Sequence, residues 1–193
     1  MTDMVVFSDL NGGMLTGQAI KDEVNAGNII ISDFDEKKVN PNSYNLTLNK
    51  ELFVYKRPLF GLGALNMHRK NKTSSIIIPE TGLRLEPNRL YLGSTNEITA
   101  TEKYIPGLNG RSSVGRLGMT IHVTAGFGDI GFNGRWTLEI TVAEPLVIYP
   151  NEEICQIFFF TPFGPTNMQY NGRYQNQMGT VASKFYEPKK ETY

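Results

Sequence analysis

Residues 109–119 read NGRSSVGRLGM. Arg111, Arg116, Ser112 and Ser113 bring guanidinium and hydroxyl donors, while Gly110, Gly115 and Gly118 leave the backbone bare. No acid stands among them. Three glycines would weaken a helix by ~1 kcal/mol each, and in a strand they would leave packing gaps. The composition argues against both and predicts a backbone that bends close to an anion. A surface turn with solvated arginines is the competing reading, and on the residues alone the two stand even. A second group lies in AGFGDIGFNGRWTLEI, residues 125–140. Asp129 sits between glycines and would be placed by a tight turn. Glu139 alternates with Leu138 and Ile140, so it points away from them in a strand. A solvent-facing carboxylate is the commoner outcome there; an enclosed one could carry protons to and from a substrate.

The tail offers Tyr170, Arg173, Tyr174 and Gln177, which could fold over a nucleotide with stacking and phosphate contacts. Composition alone favours a disordered tail. Zinc bound by Cys and His is close to excluded: the chain has one cysteine, Cys155, and two histidines far apart, His68 and His122. His122, in MTIHVTA, reads as a hydrogen-bonded structural residue. No phosphate-binding P-loop, serine nucleophile elbow or dinucleotide-binding glycine motif is present.

These side chains need a scaffold. With 193 residues the chain fits one domain, large enough to bury a core without disulfides. Cys155, in the apolar run EEICQIFFF, reads as a buried small hydrophobe. Lysine and arginine balance aspartate and glutamate at 19 each, so bulk attraction to nucleic acid is not indicated. No signal peptide is visible at the N-terminus, and no apolar run approaches the ~20 residues of a membrane span. The expectation is a cytoplasmic protein. One helix is marked near 16–27, with a Thr16 cap, apolar Ala19, Ile20 and Val24, and a Gly27 stop. After it come short β-rich runs: NIIISDF, SYNLTL, ELFVYK, SSIIIP, RLYLGST, MTIHVTA, RWTLEITV, PLVIYP and ICQIFFF. Residues 61–73 read as an exposed loop. The expected organisation is a mainly β domain over 1–163 and a mobile C-terminal arm over 164–193, ordered by a ligand or a neighbouring subunit.

Taken in order, the pieces resemble the dCTP deaminase family of the trimeric dUTPase-like superfamily. Gly110-Arg111-Ser112-Ser113-Val114-Gly115-Arg116-Leu117-Gly118 matches the family core G-R-S-S-x-[AG]-R-L-G. HVTAGFGDIGFNGRWTLEI matches T-A-x-x-x-D-x-G-[FW]-x-G-x-x-x-L-E, RYQNQMGTVAS matches Y-[RQ]-N-Q-x-G-x-V-A-S, and NPNSYNLTL is similar to N-P-A-S-Y-D-L-R-L. The matches run from about residue 16 to 186.

The resemblance implies a dUTPase-like distorted β-barrel or jelly roll and a homotrimer with shared sites. It implies deamination of dCTP to dUTP and ammonia without a protein-bound metal, the magnesium arriving on the triphosphate. Glu139 would be general base and acid. Ser112 and Arg116 would polarise the attacking water, with the backbone at Thr124 and Ala125 positioning it. Arg111, Ser113, Arg173 and Gln177 would hold the triphosphate, Asp129 the deoxyribose, and Tyr170 would pack in the closing tail. Val114, Gly115, Thr137 and Leu138 fall in the same nucleotide site. Feedback by dTTP and pairing of trimers into hexamers stay open.

A plain dUTPase is disfavoured, because Glu139 stands where those enzymes are apolar. A bifunctional enzyme, releasing dUMP and pyrophosphate, is the alternative: Ala125-Gly126-Phe127 resembles bifunctional members, where strict deaminases often carry bulky basic residues. The tail is closer to strict deaminases, and Asn45 replaces the family's usual Asp, which weakens a water-mediated magnesium contact. The strict deaminase therefore stands first. A non-catalytic nucleotide-binding regulator would need a damaged set, and Ser112, Arg116 and Glu139 are all present.

Overall fold

A computed structural model describes residues 12–56 and 63–188. The first eleven residues, residues 61–62 of the expected loop and residues 189–193 of the expected arm lie outside the described residues. In chain order the elements begin with β1 (Gly13–Met14), α1 (Gly17–Asn25) and β2 (Ile30–Ile31). Next come β3 (Tyr44–Thr47), β4 (Glu51–Tyr55), β5 (Thr73–Ile77), β6 (Leu83–Leu85), β7 (Tyr91–Ser94) and β8 (Thr99–Ala100). The rest are β9 (Ile105–Gly110), α2 (Ser112–Gly115), β10 (Met119–Thr120), β11 (Asn133–Gly134), β12 (Thr137–Val142), β13 (Leu146–Ile148) and β14 (Glu153–Thr161). The fold is mainly β with few helices, as expected from the sequence.

The expected first helix is present. Thr16 accepts from the Ala19 N–H at 3.3 Å as its N-cap, and Gly27 closes it at φ 76°. Two larger sheets carry most of the other strands, with β11-β8-β2 and β13-β6 as smaller ones. β14 carries β9 on one edge and β1 with β3 on the other. The second sheet runs β10-β12-β7-β4-β5. Tyr44, Leu46, Leu48, Leu52, Leu138, Ile140, Ile157 and Phe159 lie almost wholly inside one core. Cys155 joins them, and burial pushes its thiol well above the ordinary range.

Two local expectations change. MTIHVTA forms a strand only over Met119–Thr120, because residues 121–128 leave the sheet and lie against β9. There Leu108 N–H donates to Gly126 O at 2.7 Å, and Gly128 N–H to Pro106 O at 3.0 Å. Conversely β9, IPGLNG, is a strand that the sequence disguised. Pro106 can sit in it because β9 lies at the edge of its sheet.

Candidate functional site

β12 is the element that presents Glu139. Burial alternates unbroken from Gly134 to Val142: Trp136, Leu138, Ile140 and Val142 enter the core, and Arg135, Thr137, Glu139 and Thr141 share the opposite face. The register places Ser94 opposite Thr137 and Leu92 opposite Glu139. Glu139 is neither free in solvent nor fully enclosed; its side chain is 29% exposed.

His122 accounts for much of that cover. Its Nδ1 lies 2.7 Å from Glu139 Oε2, and its side chain is 9% exposed. An ionised carboxylate only accepts, so Nδ1 carries the proton in this pair. The second ring nitrogen, Nε2, is buried without a partner among the described residues. The ring also packs beside Gly126, where a Cβ would run into the Leu108 carbonyl. His122 was expected to be hydrogen-bonded, and it is, but to Glu139 itself. The sequence reading missed this residue as part of the site. The signal was faint: a His and a Glu seventeen residues apart in neighbouring β segments.

The stretch 111–118 folds as one helical turn, α2, contrary to the argument from its glycines. One turn is too short for the glycine cost to accumulate, and Gly118 at φ 77° ends it. Ser112, Ser113, Gly115 and Arg116 are exposed, and Val114 is half-buried. Arg111 is engaged: Nη1 donates to Glu153 O at 2.9 Å and pairs with Glu153 Oε2 at 2.9 Å. That carboxylate also accepts from Asn45 Nδ2 at 2.8 Å, and Asn45 Oδ1 accepts from Asn40 at 2.7 Å. The chain of bonds carries the NPNSYN segment to Arg111, and Asn45, 4% exposed, is internal to it. Asn45 therefore serves as a donor to Glu153. Among the described residues no hydrogen bond links Ser112, Ser113 or Arg116 to Glu139.

Asp129 is exposed, between Gly128, packed under Trp136 and Pro106, and Gly131 at φ 88°. Tyr170 docks beside this turn: its N–H donates to Ile130 O at 2.7 Å and its ring meets Phe132 at 5.9 Å. Burial raises the Tyr170 phenol, so it stays protonated. Ala125 and Thr124 are exposed on the neighbouring loop.

The tail is seated by polar bonds rather than apolar burial. Gln177 pairs with Gly134 in a parallel bridge. Its carbonyl accepts from Arg135 N–H at 2.9 Å, and its Nε2 donates to Arg135 O at 2.5 Å and Thr137 Oγ1 at 3.4 Å. Val181 N–H donates to Thr137 Oγ1 at 3.3 Å, and Ser183 N–H to the Tyr55 hydroxyl at 3.0 Å. Arg173, expected on phosphates, instead donates to Glu187 O at 2.6 Å and Pro188 O at 3.3 Å, clasping the tail to itself. The structure thus gathers Glu139, Thr137 and Gln177 in one place, with Leu138 beneath. Asp129 and Tyr170 stand together at another, and the Ser112–Arg116 turn at a third.

Among the described residues no group of three His, Cys, Asp or Glu side chains is placed to hold a metal ion. No helix among them is long and apolar enough to cross a membrane.

Comparison with known proteins bears on the family and the fold. Residues 14–161 match the family model described as dCTP deaminase-like. A Clostridium beijerinckii protein named dCTP deaminase, dUMP-forming, is 53% identical over 174 residues, 90% of this chain and 97% of that one. A Cytophaga hutchinsonii protein of the same name is 48% identical over the same shares. The fold resembles the crystal structure of 2'-deoxycytidine 5'-triphosphate deaminase from Agrobacterium tumefaciens at TM-score 0.61 and 20% identity. That likeness covers 78% of this chain and 49% of the other, so this chain spans about half of that longer one. The relatives' name overturns one expectation. The strict deaminase, releasing dUTP, was put first, but relatives at about half identity are dUMP-forming. The tail motif and Asn45 were given too much weight against Ala125-Gly126-Phe127; Asn45 turns inward to Glu153, and Gly126 is fixed by its contact with β9. The motifs, the fold and the matched length together place this chain in the dCTP deaminase-like family.

Proposed function

We propose that this protein is a cytoplasmic, dUMP-forming dCTP deaminase. It converts dCTP and two waters to dUMP, pyrophosphate and ammonia. The observation that carries the reading is Glu139: a carboxylate on a rigid central strand, half-covered, with His122 holding one oxygen. Such a group can take a proton from a water attacking C4 of cytosine. It can then pass protons to N3 and to the departing amino group, leaving uracil. Ser112 and Arg116 would stabilise the oxyanion. The second step is attack of water on the α-phosphate, with Asp129 as its base and pyrophosphate leaving. Magnesium would come with the triphosphate and spread its charge; no protein cluster is asked to hold it.

Ser112, Ser113 and Arg116 are exposed and unbonded to Glu139 within one chain. Leu117, next to the α2 turn, and Val123 and Phe127, on the loop against β9, stand 60%, 62% and 75% exposed. Both features support a homotrimer, in which the α2 turn of one subunit completes the Glu139 site of the next. Two variants test the reading. Glu139→Gln should abolish ammonia release from dCTP while leaving hydrolysis of added dUTP. Asp129→Asn should raise KM for dCTP through the lost deoxyribose contact, yet keep deamination and let dUTP accumulate. Loss of neither activity in either variant would overturn the assignment.

A further inference from the structure

Among the described residues four buried side-chain atoms have no hydrogen-bond partner: Ser94 Oγ, His122 Nε2, Arg135 Nε and Gln177 Oε1. They are not scattered. Ser94 is the cross-strand neighbour of Thr137, Gln177 is bonded to Thr137 and to the Arg135 backbone, Arg135 is two residues before Thr137, and His122 is bonded to Glu139 two residues after it. All four orphans therefore line one face of β12 and its cover. Unpaired buried polar atoms are costly, and each calls for a partner such as a water, an ion or a ligand.

Arg135 is the charged member. It is only partly exposed, and among the described residues its guanidinium makes no ion pair and no side-chain hydrogen bond. Arg111 is held by Glu153 and Arg173 by the tail carbonyls, while Arg116 is exposed to solvent. A half-covered guanidinium lacking a counter-ion is a standing cost that an anion relieves. Its place along the strand says which anion. Four residues of extended chain set Arg135 about 13 Å from Glu139 at ~3.3 Å per residue, the scale of a nucleoside triphosphate stretched from ring to terminal phosphates.

Resting on the proposed activity, we infer that Arg135 is a phosphate anchor for the nucleotide, supplied by the same subunit as Glu139. A base facing Glu139 would lay its triphosphate along β12 toward Arg135, under Gln177. Nothing in the family motifs assigns this residue, which falls among the unspecified positions of G-x-x-x-L-E.

The test compares wild type, Arg135→Met and Arg135→Lys by titration calorimetry with an α,β-imido analogue of dUTP and with dUMP, and by dCTP kinetics. A lost charge-assisted contact predicts triphosphate affinity about tenfold weaker or more in Arg135→Met, with KM for dCTP rising alike. Arg135→Lys should recover part of the loss. Binding of dUMP, which lacks the outer phosphates, should change less than twofold, and Tm should hold or rise because an orphan buried atom is removed. Equal loss for dUMP and the triphosphate would mean a structural role and overturn the inference, as would unchanged triphosphate affinity. A wild type that neither binds nor turns over dCTP would instead refute the activity on which the inference rests.

Discussion

Asn45→Asp would restore the residue usual in the family motif, and the structure says that here it should do harm. Asn45 Nδ2 donates to Glu153 Oε2 at 2.8 Å, at a position 4% exposed, and Arg111 Nη1 reaches the same oxygen at 2.9 Å. The substitution removes a hydrogen bond to a charged acceptor, worth about 1.5–3 kcal/mol. It also sets two carboxylates in contact, where like charges ~3 Å apart at an effective dielectric near 20 repel by about 5 kcal/mol. The pair can limit this by keeping one proton, at a cost of about 4 kcal/mol at pH 7.5 from an ordinary carboxyl pKa, and Arg111 offsets part. The net loss should be about 2–4 kcal/mol at pH 7.5. The sign with pH follows: the variant's folded pair holds a proton that the unfolded chain has released. The deficit is therefore full well above the carboxyl range and shrinks as pH falls toward 5. Urea unfolding at fixed protein concentration, at pH 7.5 and pH 5, measures both. A deficit under ~0.5 kcal/mol at pH 7.5, or one that does not narrow at pH 5, would refute the role given to Asn45.

Further outcomes follow from other contacts. Glu97, 3% exposed, accepts from Lys38 Nζ and from the Thr47 N–H and hydroxyl, each at 2.9 Å, so Glu97→Ala should cost about 3–5 kcal/mol by chemical unfolding. Burial alone would depress Lys38, yet the Glu97 carboxylate lifts it above its ordinary 10.5, and burial lifts Tyr44 above 10.0. Both groups keep their proton longer when folded, so their contribution to stability should be constant below about pH 10 and fall above it, readable as Tm against pH on the alkaline side. Gly134→Ala would drive a Cβ into the Gln177 backbone at φ 151°; proteolysis within 164–188 should quicken and KM for dCTP rise. Cys155 should resist thiol reagents in the folded protein and react on unfolding, since burial keeps it protonated.

How much of this was written in the sequence depends on the kind of residue. Alternation in TLEITV marked β12 and the side of it that carries Glu139, because a period of two survives in any half-buried strand. Thr16 and Gly27 bounded the first helix for equally local reasons. β9 stayed hidden because Pro106 and three small or polar neighbours look like a turn until a long partner, β14, supplies the pairing. The turn at Ser112–Gly115 was misjudged because glycine costs were summed over a helix longer than the one that forms. His122 against Glu139, and Asn45 against Glu153, depend on which loops cross which strands, and no local spacing records that. The seating of the tail was equally illegible: its bonds run through backbone groups and Gln177, not through an apolar stripe.

The most direct test is to supply radiolabelled dCTP and magnesium to the purified protein with a pool of unlabelled dUTP, and to separate the nucleotides over time. The account predicts label passing from dCTP to dUMP with no lasting labelled dUTP, one ammonia released for each dCTP, and one pyrophosphate for each dCTP when the dUTP pool is left out. Label that stops at dUTP, or stays in dCTP, would contradict it.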